Sequence, residues 1–206
     1  MSQIPEKSRA RLLTATIDLV RANGYAATRV EDVCAAAGVT KGSFFHHFES
    51  KEDLAIAAAH SWGERATQLF GQAPYMSKAD ALDRLLGYVR FRGQLLEGEF
   101  WEWSCYAGTA IQETHETHPA LREACAASIE THLVHLGWLI EQAIAEYPLP
   151  RLRAESLAIH MQAVIQGAFV MAKARQDRQA AVDCIDHLYR YVELLFSGST
   201  NKKPRR

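Results

Sequence analysis

Apolar residues recur every three or four positions along most of the chain, and this spacing predicts helices rather than strands. The first predicted helix spans residues 6–23, with Leu13, Ile17 and Val20 on one face and Gly24 as its stop. Alternating apolar and polar stretches bounded by turn pairs are missing, so we expect an all-α fold. The later predicted helices cover residues 50–70, 78–97, 101–114, 119–146, 152–175 and 179–196.

Two short helices joined by a glycine turn are predicted between the first helix and residue 50. Thr28 with Glu31 matches the T-x-x-E capping box, which places the start of the first short helix at Thr28. Gly38 ends that helix because glycine tolerates the left-handed backbone of a sharp turn. Thr40 then caps the second short helix. This layout is typical of a DNA-binding helix-turn-helix.

The second short helix is the candidate reader of DNA. Its exposed polar residues are expected to be Lys41, Ser43, His46 and His47, while Gly42 leaves room for the backbone to approach a ligand. Short hydroxyls and a lysine suit contacts to phosphate, but few long polar side chains remain for base edges. We therefore expect sparse base readout.

The next helix begins close behind the reader helix. Ser50 with Asp53 forms a second capping box. Its first backbone amides and Lys51 are suited to holding a phosphate.

These motifs resemble the DNA-binding domain of the TetR/AcrR family of bacterial transcriptional regulators. The family signature runs Thr, Ala-Gly-Val, Ser/Thr-x-Gly-x-hydrophobic-Tyr-x-x-Phe and Lys-x-x-Leu. This chain supplies Thr28 and then residues 37–39, 40–48 and 51–54. It departs at Phe45, because phenylalanine lacks the hydroxyl that the usual tyrosine offers to a phosphate.

The resemblance implies an all-helical homodimer of about nine helices per chain. Its N-terminal three-helix domain would occupy residues 6–66, with the helix-turn-helix at about 29–48 and the fourth helix as the link. Residues 67–197 would bind an effector and mediate dimerisation, and residues 198–206 would form a disordered tail. The expected DNA contacts are Arg29, Thr40, Lys41, Gly42, Ser43, Phe45, His46, His47 and Lys51.

Composition and charge agree with an N-terminal DNA-binding head. The chain has 206 residues, is 48% hydrophobic and carries a net charge of -1. Six Lys or Arg against four Asp or Glu among residues 1–48 make the head mildly positive. The N-terminus lacks a signal-peptide core and the longest apolar runs are shorter than a membrane span, so we expect a cytoplasmic protein.

Aromatic residues are dense in the middle of the chain, where the effector site of such a regulator would lie. Each of them is equally well explained as core filling. The run from Cys105 to Glu113 also resembles a Cys-x-x-Gly-x-x-x-x-Glu helix found in the ligand domain of one subgroup of the family. The candidate effector-binding residues are Trp62, Phe91, Trp101, Trp103, Cys105, Tyr106, Gly108, Thr109 and Trp138.

Cysteines and histidines offer two further hypotheses. Cys105 would become a reactive sensor if His115 or His118 lowered the pKa of its thiol, although a buried, inert cysteine explains it as well. The pairs His115/His118 and His132/His135 have a spacing that allows metal binding, but solvated or core histidines explain them equally. No cofactor fingerprint or metal site is assigned from the sequence.

The last two predicted helices favour a dimer. The helix over residues 152–175 is apolar on nearly every side, so one face takes the core and another needs a partner. Gly167 and Ala168 would allow close approach of paired helices, and the alternative is a purely intrachain core. A narrow apolar stripe on the final helix is predicted to join the same interface: Val182, Ile185, Leu188, Tyr189, Val192 and Leu195.

The sequence thus predicts a ligand-responsive regulator, most simply a repressor, that binds a palindromic operator as a homodimer and is released by a small apolar or aromatic effector. The alternative is an all-helical small-molecule-binding protein or enzyme without a DNA-binding role. No nucleophile-base-acid set or phosphate loop supports an enzyme.

Overall fold

The structure of the chain, a computed structural model, describes residues 3–198. Within that part the protein forms nine α-helices, one short 3-10 turn and no strand, which confirms the all-α prediction. The tail predicted over residues 198–206 lies, apart from residue 198, outside the described part. The helices are α1 Gln3–Asn23, α2 Val30–Ala37, α3 Lys41–His47, α4 Lys51–Gly71, α5 Ala81–Gln94, α6 Tyr106–Thr114, α7 Pro119–Glu146, α8 Ala154–Arg175 and α9 Arg178–Ser197.

Packing divides the chain into two compact units. Unit 1 contains the residues up to Thr67 together with residues 104–130, and unit 2 contains residues 68–103 and those from Thr131 onward. The sequence placed all of residues 67–197 in one C-terminal domain. The structure instead groups α6 and the start of α7 with the N-terminal helices, because α6 packs on α1.

Unit 1 has a continuous apolar core to which α1, α2, α3, α4 and α6 contribute. The face predicted on α1 is buried, with Ile17 and Val20 each only 1% exposed. Phe44 of α3 and Leu54 of α4 are fully buried, and each such side chain stabilises the fold by about 1.5–3 kcal/mol through burial. The reader helix is therefore fixed by the core of unit 1.

Unit 2 is built around α9, which packs against α5 and α8. Half of the stripe predicted to face a partner chain is turned inward, since Ile185, Leu188 and Val192 are buried within the unit. That prediction was wrong for these three residues, because the same helical spacing serves an intrachain contact as well as a coiled coil. The intrachain alternative accounts for them.

Two predicted helices are shorter than expected. The helix predicted over residues 78–97 begins at Ala81, because the Asp80 carboxylate accepts hydrogen bonds from the amides of Leu82 and Asp83. The helix predicted over residues 101–114 begins only at Tyr106. Before it, turns follow Gly98, whose φ is 74°, and the Glu102 carboxylate accepts a hydrogen bond from the amide of Glu99.

Helix α8 has apolar residues that are buried and others that are exposed. Leu157, Met161 and Ile165 are buried in unit 2, whereas Ile159 and Val170 are each half exposed. With 22 residues and a mean hydropathy of 1.2, this helix is long and apolar enough to cross a membrane by length and composition, as is the core helix of many globular proteins. Its exposed apolar residues therefore require an explanation other than the core of its own unit.

Candidate nucleic-acid interface

The turn between α1 and α2 is held by a hydroxyl that the sequence assigned to another role. The Thr28 hydroxyl is buried and donates to the carbonyl oxygen of Gly24 at 2.7 Å. Arg29 is the N-cap residue of α2 instead, and its amide donates to the Asp32 carboxylate at 3.3 Å. The prediction that Thr28 caps α2 with Glu31 was therefore wrong, because a nearby carbonyl captures the hydroxyl.

The turn between α2 and α3 follows the sequence prediction closely. Gly38 has φ 62° and ψ 42°, the left-handed conformation that glycine adopts without strain. The Thr40 hydroxyl accepts a hydrogen bond from the amide of Ser43 at 3.1 Å, which confirms it as the N-cap of α3. These two residues set the angle at which α3 leaves the turn.

The reader helix α3 buries one face and exposes the other. Phe44 is fully buried, and Phe48 just beyond the helix is 3% exposed, with ring centroids 6.0 Å apart. Phe45 contacts the Phe44 ring edge to face with centroids 5.0 Å apart, yet it is 61% exposed, an unusual position for a large apolar ring. Thr40, Lys41, Gly42 and His46 are exposed on this outer side.

The charges around α3 are partly engaged with other side chains. Lys41 forms an ion pair with Glu31 of α2, and this pair raises the pKa of the lysine and lowers that of the carboxyl. Both side chains are exposed, so a phosphate can replace the carboxylate at little cost. Arg29, at the start of α2, is exposed as well.

An arginine on α1 joins this surface, although it was not among the predicted DNA contacts. The Arg9 guanidinium lies 5.5 Å from the centroid of the Phe48 ring. Burial, followed by the charges of His46 and Arg9, lowers the pKa of His47. The only sequence signal for Arg9 was its positive charge, because its distance from α3 along the chain hides their proximity.

Lys51 points back into unit 1. Its ammonium donates to the carbonyl oxygens of Tyr25 and Thr28, both at 3.0 Å, and lies 4.1 Å from the centroid of the Tyr25 ring. Burial lowers its pKa, and the nearby Glu113 carboxylate opposes this shift. Two of its three N–H donors are thus engaged with protein, and a phosphate contact by Lys51 stays a prediction.

The same turn is held from the other side by α6. The Glu113 carboxylate accepts hydrogen bonds from the amides of Tyr25 at 3.2 Å and Ala26 at 2.8 Å. It lies directly over Gly24, where φ is 88° and where a Cβ atom would collide with the carboxylate. The glycine is therefore required for close approach as well as for its backbone conformation.

The start of α4 has the predicted Ser50 cap but not the reciprocal bond of a capping box. The Asp53 amide donates to the Ser50 hydroxyl at 3.0 Å, as expected for an N-cap. The Asp53 carboxylate accepts from the amide of Glu49 at 3.1 Å rather than from Ser50 itself.

The predicted effector residues fall in both units. In unit 1, Tyr106 is fully buried and donates to the carbonyl oxygen of Ala55 at 2.9 Å, so it fills the core. Cys105 caps α6 by accepting from the amide of Gly108 at 3.4 Å, and Trp62 stacks with Arg21. The remaining unit 1 candidate, half-exposed in α6, is Thr109.

The unit 2 candidates differ in exposure. Trp138 is 42% exposed and Trp103 is 7% exposed. Phe91 and Trp101 are half-buried, and Phe91 contacts the ring of Phe70 edge to face at 5.9 Å. Effector binding by these residues stays a prediction.

The histidines proposed as metal ligands have other partners. His132 shares a hydrogen bond of 2.8 Å with the Tyr88 hydroxyl, and burial lowers its pKa to about 3. His115 lies near the Glu116 carboxylate, and His118 contacts the edge of the Tyr25 ring. Among residues 3–198 no three His, Cys, Asp or Glu side chains are grouped as a metal site would require.

Comparisons with known proteins match both ends of the chain. A model of the bacterial regulatory proteins of the tetR family matches residues 12–58. A model of the C-terminal domain of LmrA/YxaF-like transcriptional regulators matches residues 81–187, more than half of the chain. The first match contains the capped helices and the glycine turn described above.

Individual relatives are more distant. The transcriptional regulator AcuR from Cereibacter sphaeroides is 27% identical over 134 residues, which are 65% of this chain and 61% of that protein. The HTH-type transcriptional regulator LmrA from Bacillus subtilis is 25% identical over 175 residues, covering 80% of this chain and 86% of its own. Both relatives are named as regulators rather than enzymes.

Solved structures share the fold. A TetR transcriptional regulator from Chloroflexus aurantiacus superposes with a TM-score of 0.81 at 26% identity, covering 92% of this chain and 96% of its own. A TetR-family regulator from Agrobacterium tumefaciens also gives 0.81, at 19% identity, covering 91% and 98%. The two family models and these regulators exclude the alternative of an enzyme, and the chain belongs to the TetR family of helix-turn-helix transcriptional regulators.

Proposed function

We propose that the protein is a ligand-responsive repressor that binds a palindromic operator as a homodimer and releases it when a small effector binds. The observation that carries this proposal is the outer side of α3, where Phe45 is exposed on the same short helix as Lys41 and His46, next to the exposed N-cap Thr40. A stable domain gains nothing from leaving a phenyl ring in water, so the ring is best explained by a ligand surface that covers it.

The residue types on this face suit the DNA backbone better than the bases. Thr40, Ser43 and Lys41 can donate to phosphates, and Arg9 adds a cation from α1. Phe45 can make apolar contact with a thymine methyl group or a sugar. We therefore propose that phosphate contacts and DNA shape contribute most of the affinity, with few hydrogen bonds to base edges.

A second copy of the chain is the proposed occupant of the exposed apolar surface of unit 2. Ile159, Val170 and Met171 on α8 and Tyr191 and Leu194 on α9 are each between 43% and 70% exposed. A Cβ added at Gly167 would meet no atom within 4 Å, so a partner helix has room to approach closely there. Two copies of α8 and α9 would form a four-helix interface.

A twofold axis at this interface would present two copies of α3 to one face of the duplex. Their separation would be roughly 34 Å for binding in consecutive major grooves, which requires a palindromic operator. Effector binding would favour a dimer conformation with another separation, and the difference in affinity would release the DNA. The proposed site of action is the cytoplasm, where bacterial DNA lies.

Operator binding can be tested by gel shift with the DNA that flanks the gene of this protein. The proposal expects retardation at low salt that survives competition by unrelated DNA, and a twofold symmetric footprint. Lys41→Ala should weaken this binding, whereas the matched variant Lys78→Ala, an exposed lysine outside α3, should not. Equal affinity for flanking and unrelated DNA would contradict the proposal.

A further inference from the structure

Unit 2 contains a buried arginine without a counter-ion. Arg92 of α5 is 9% exposed, and among residues 7–198 no carboxylate lies within 4.0 Å of its guanidinium. Its Nε is inaccessible to water and has no hydrogen-bond acceptor. Burial of an unpaired cation is strongly unfavourable, so such a group is rare unless an anion arrives to pair with it.

The surroundings of the guanidinium are aromatic and uncharged. It lies 5.3 Å from the centroid of the Phe70 ring and 5.6 Å from that of Phe169. The Tyr88 hydroxyl accepts a hydrogen bond from Arg92 and shares another with His132, so the polar neighbours of the guanidinium are neutral groups and none is an anion. Burial, followed by the charge of Arg92, keeps the pKa of His132 near 3, so this imidazole adds no second positive charge.

A second buried donor without an acceptor belongs to Trp103, which also contacts Phe169. The Trp103 ring contacts Phe169 edge to face at 5.6 Å, and its indole N–H is buried without an acceptor. Buried donors without partners are uncommon, and each one requires an explanation such as a missing ligand. Here a cationic and a neutral donor share one aromatic neighbour.

From these observations we infer that unit 2 binds a small organic carboxylate, with its carboxylate on the Arg92 guanidinium, its apolar body among Phe70, Phe169 and Trp103, and the Trp103 N–H as a further donor. The guanidinium fork matches a carboxylate in shape. A dianionic phosphate would call for more than one cation, and one is present. This inference rests on the proposed function, since it gives the effector of that regulator a chemical class.

The test uses the full-length protein without DNA and follows its thermal unfolding. The probes are butyrate, octanoate and benzoate, each compared with its neutral amide, together with inorganic phosphate. We expect a carboxylate to raise the melting temperature more than its amide does, and phosphate to have no comparable effect. If no carboxylate exceeds its amide, or if phosphate alone stabilises the protein, the inference is wrong.

Variants then locate the site. Arg92→Met should weaken carboxylate binding about 10- to 100-fold, and Trp103→Phe about 3- to 10-fold, as expected for loss of a charged and a neutral hydrogen bond. Arg90→Met is the matched control, because Arg90 lies on the same helix but is exposed and stacks on Tyr189. It should bind as the unaltered protein does.

A measurement without any ligand is independent of the choice of probe. Because Arg92→Met removes an unpaired buried charge, the ligand-free variant should melt at the same temperature as the unaltered protein or higher. A clearly lower melting temperature would mean that the guanidinium is satisfied within the fold, which overturns the inference.

The gel shift separates this inference from the proposed function. Carboxylate binding that depends on Arg92 but never releases operator DNA would refute effector control and leave the anion site intact. If a neutral compound releases operator DNA from the unaltered protein and from Arg92→Met equally, the carboxylate inference is refuted and the proposed regulatory function still stands.

Discussion

Replacing Lys51 by methionine tests whether this lysine stabilises the helix-turn-helix from within. Methionine keeps most of the apolar stem and removes the ammonium. Each of the two bonds from Nζ to the carbonyl oxygens of Tyr25 and Thr28 has a charged donor and contributes about 1.5–3 kcal/mol where water is excluded. The contact with the Tyr25 ring adds about 0.5–1 kcal/mol.

The lower bounds of these contributions total about 3.5 kcal/mol. Lys51 is only half-buried, so water replaces part of the lost bonding, and the substitution also removes the cost of partly burying a cation. We expect Lys51→Met to lower the free energy of unfolding by about 2 kcal/mol. Lys41→Met, which breaks only an ion pair between two exposed side chains, should leave the free energy of unfolding essentially unchanged.

Urea unfolding followed by circular dichroism measures both variants. A loss below about 0.5 kcal/mol for Lys51→Met would refute the structural role of the ammonium. Salt-dependent operator titration then tests the phosphate role separately: each variant is expected to flatten the slope of log affinity against log salt by about one unit. An unchanged slope for Lys51→Met would assign the lysine to structure alone.

Four further substitutions test other parts of the molecule. Thr40→Ala removes the cap of α3 and should cost about 1 kcal/mol of stability, which thermal unfolding measures. Phe45→Tyr should tighten operator binding up to about fivefold by adding a phosphate contact, and no gain in a gel shift would contradict that contact. Leu194→Glu should dissociate the proposed dimer in sedimentation without lowering helix content. His132 has a pKa near 3 in the folded protein, so between about pH 6.5 and 3 only the unfolded chain binds a proton there and the free energy of unfolding falls as the pH is lowered. His132→Gln should reduce the slope of the free energy of unfolding against pH by up to about 1.4 kcal/mol per pH unit, as measured by urea unfolding at several pH values.

The sequence was informative where the responsible contact is local. The left-handed Gly38, the Thr40 cap and the Ser50 cap all depend on neighbours within four residues, and each prediction was confirmed. Thr28 was assigned wrongly because its hydroxyl can either cap α2 or donate to a preceding carbonyl oxygen. In the fold it donates to the carbonyl oxygen of Gly24. Spacing along α9 gave the apolar stripe but not the surface against which it packs.

Contacts between residues far apart along the chain could not be predicted from the sequence. The bonds from Lys51 and Glu113 to the turn after α1 join residues 23 to 88 positions apart. The absence of a counter-ion at Arg92 likewise depends on what α5 packs against rather than on its sequence neighbours. Such contacts are set by the tertiary fold and leave no signal in the local spacing of residues.

The carboxylate of Glu113 and the phenol of Tyr106 have a consequence for chimeric regulators. Both belong to α6, yet Glu113 bonds to backbone amides of the turn between α1 and α2, and Tyr106 bonds to a backbone carbonyl of α4. A graft of residues 1–67 onto another ligand-binding module would leave two turn amides and a core position without their native partners. Transfer of DNA specificity should succeed only if the graft also includes residues 104–130.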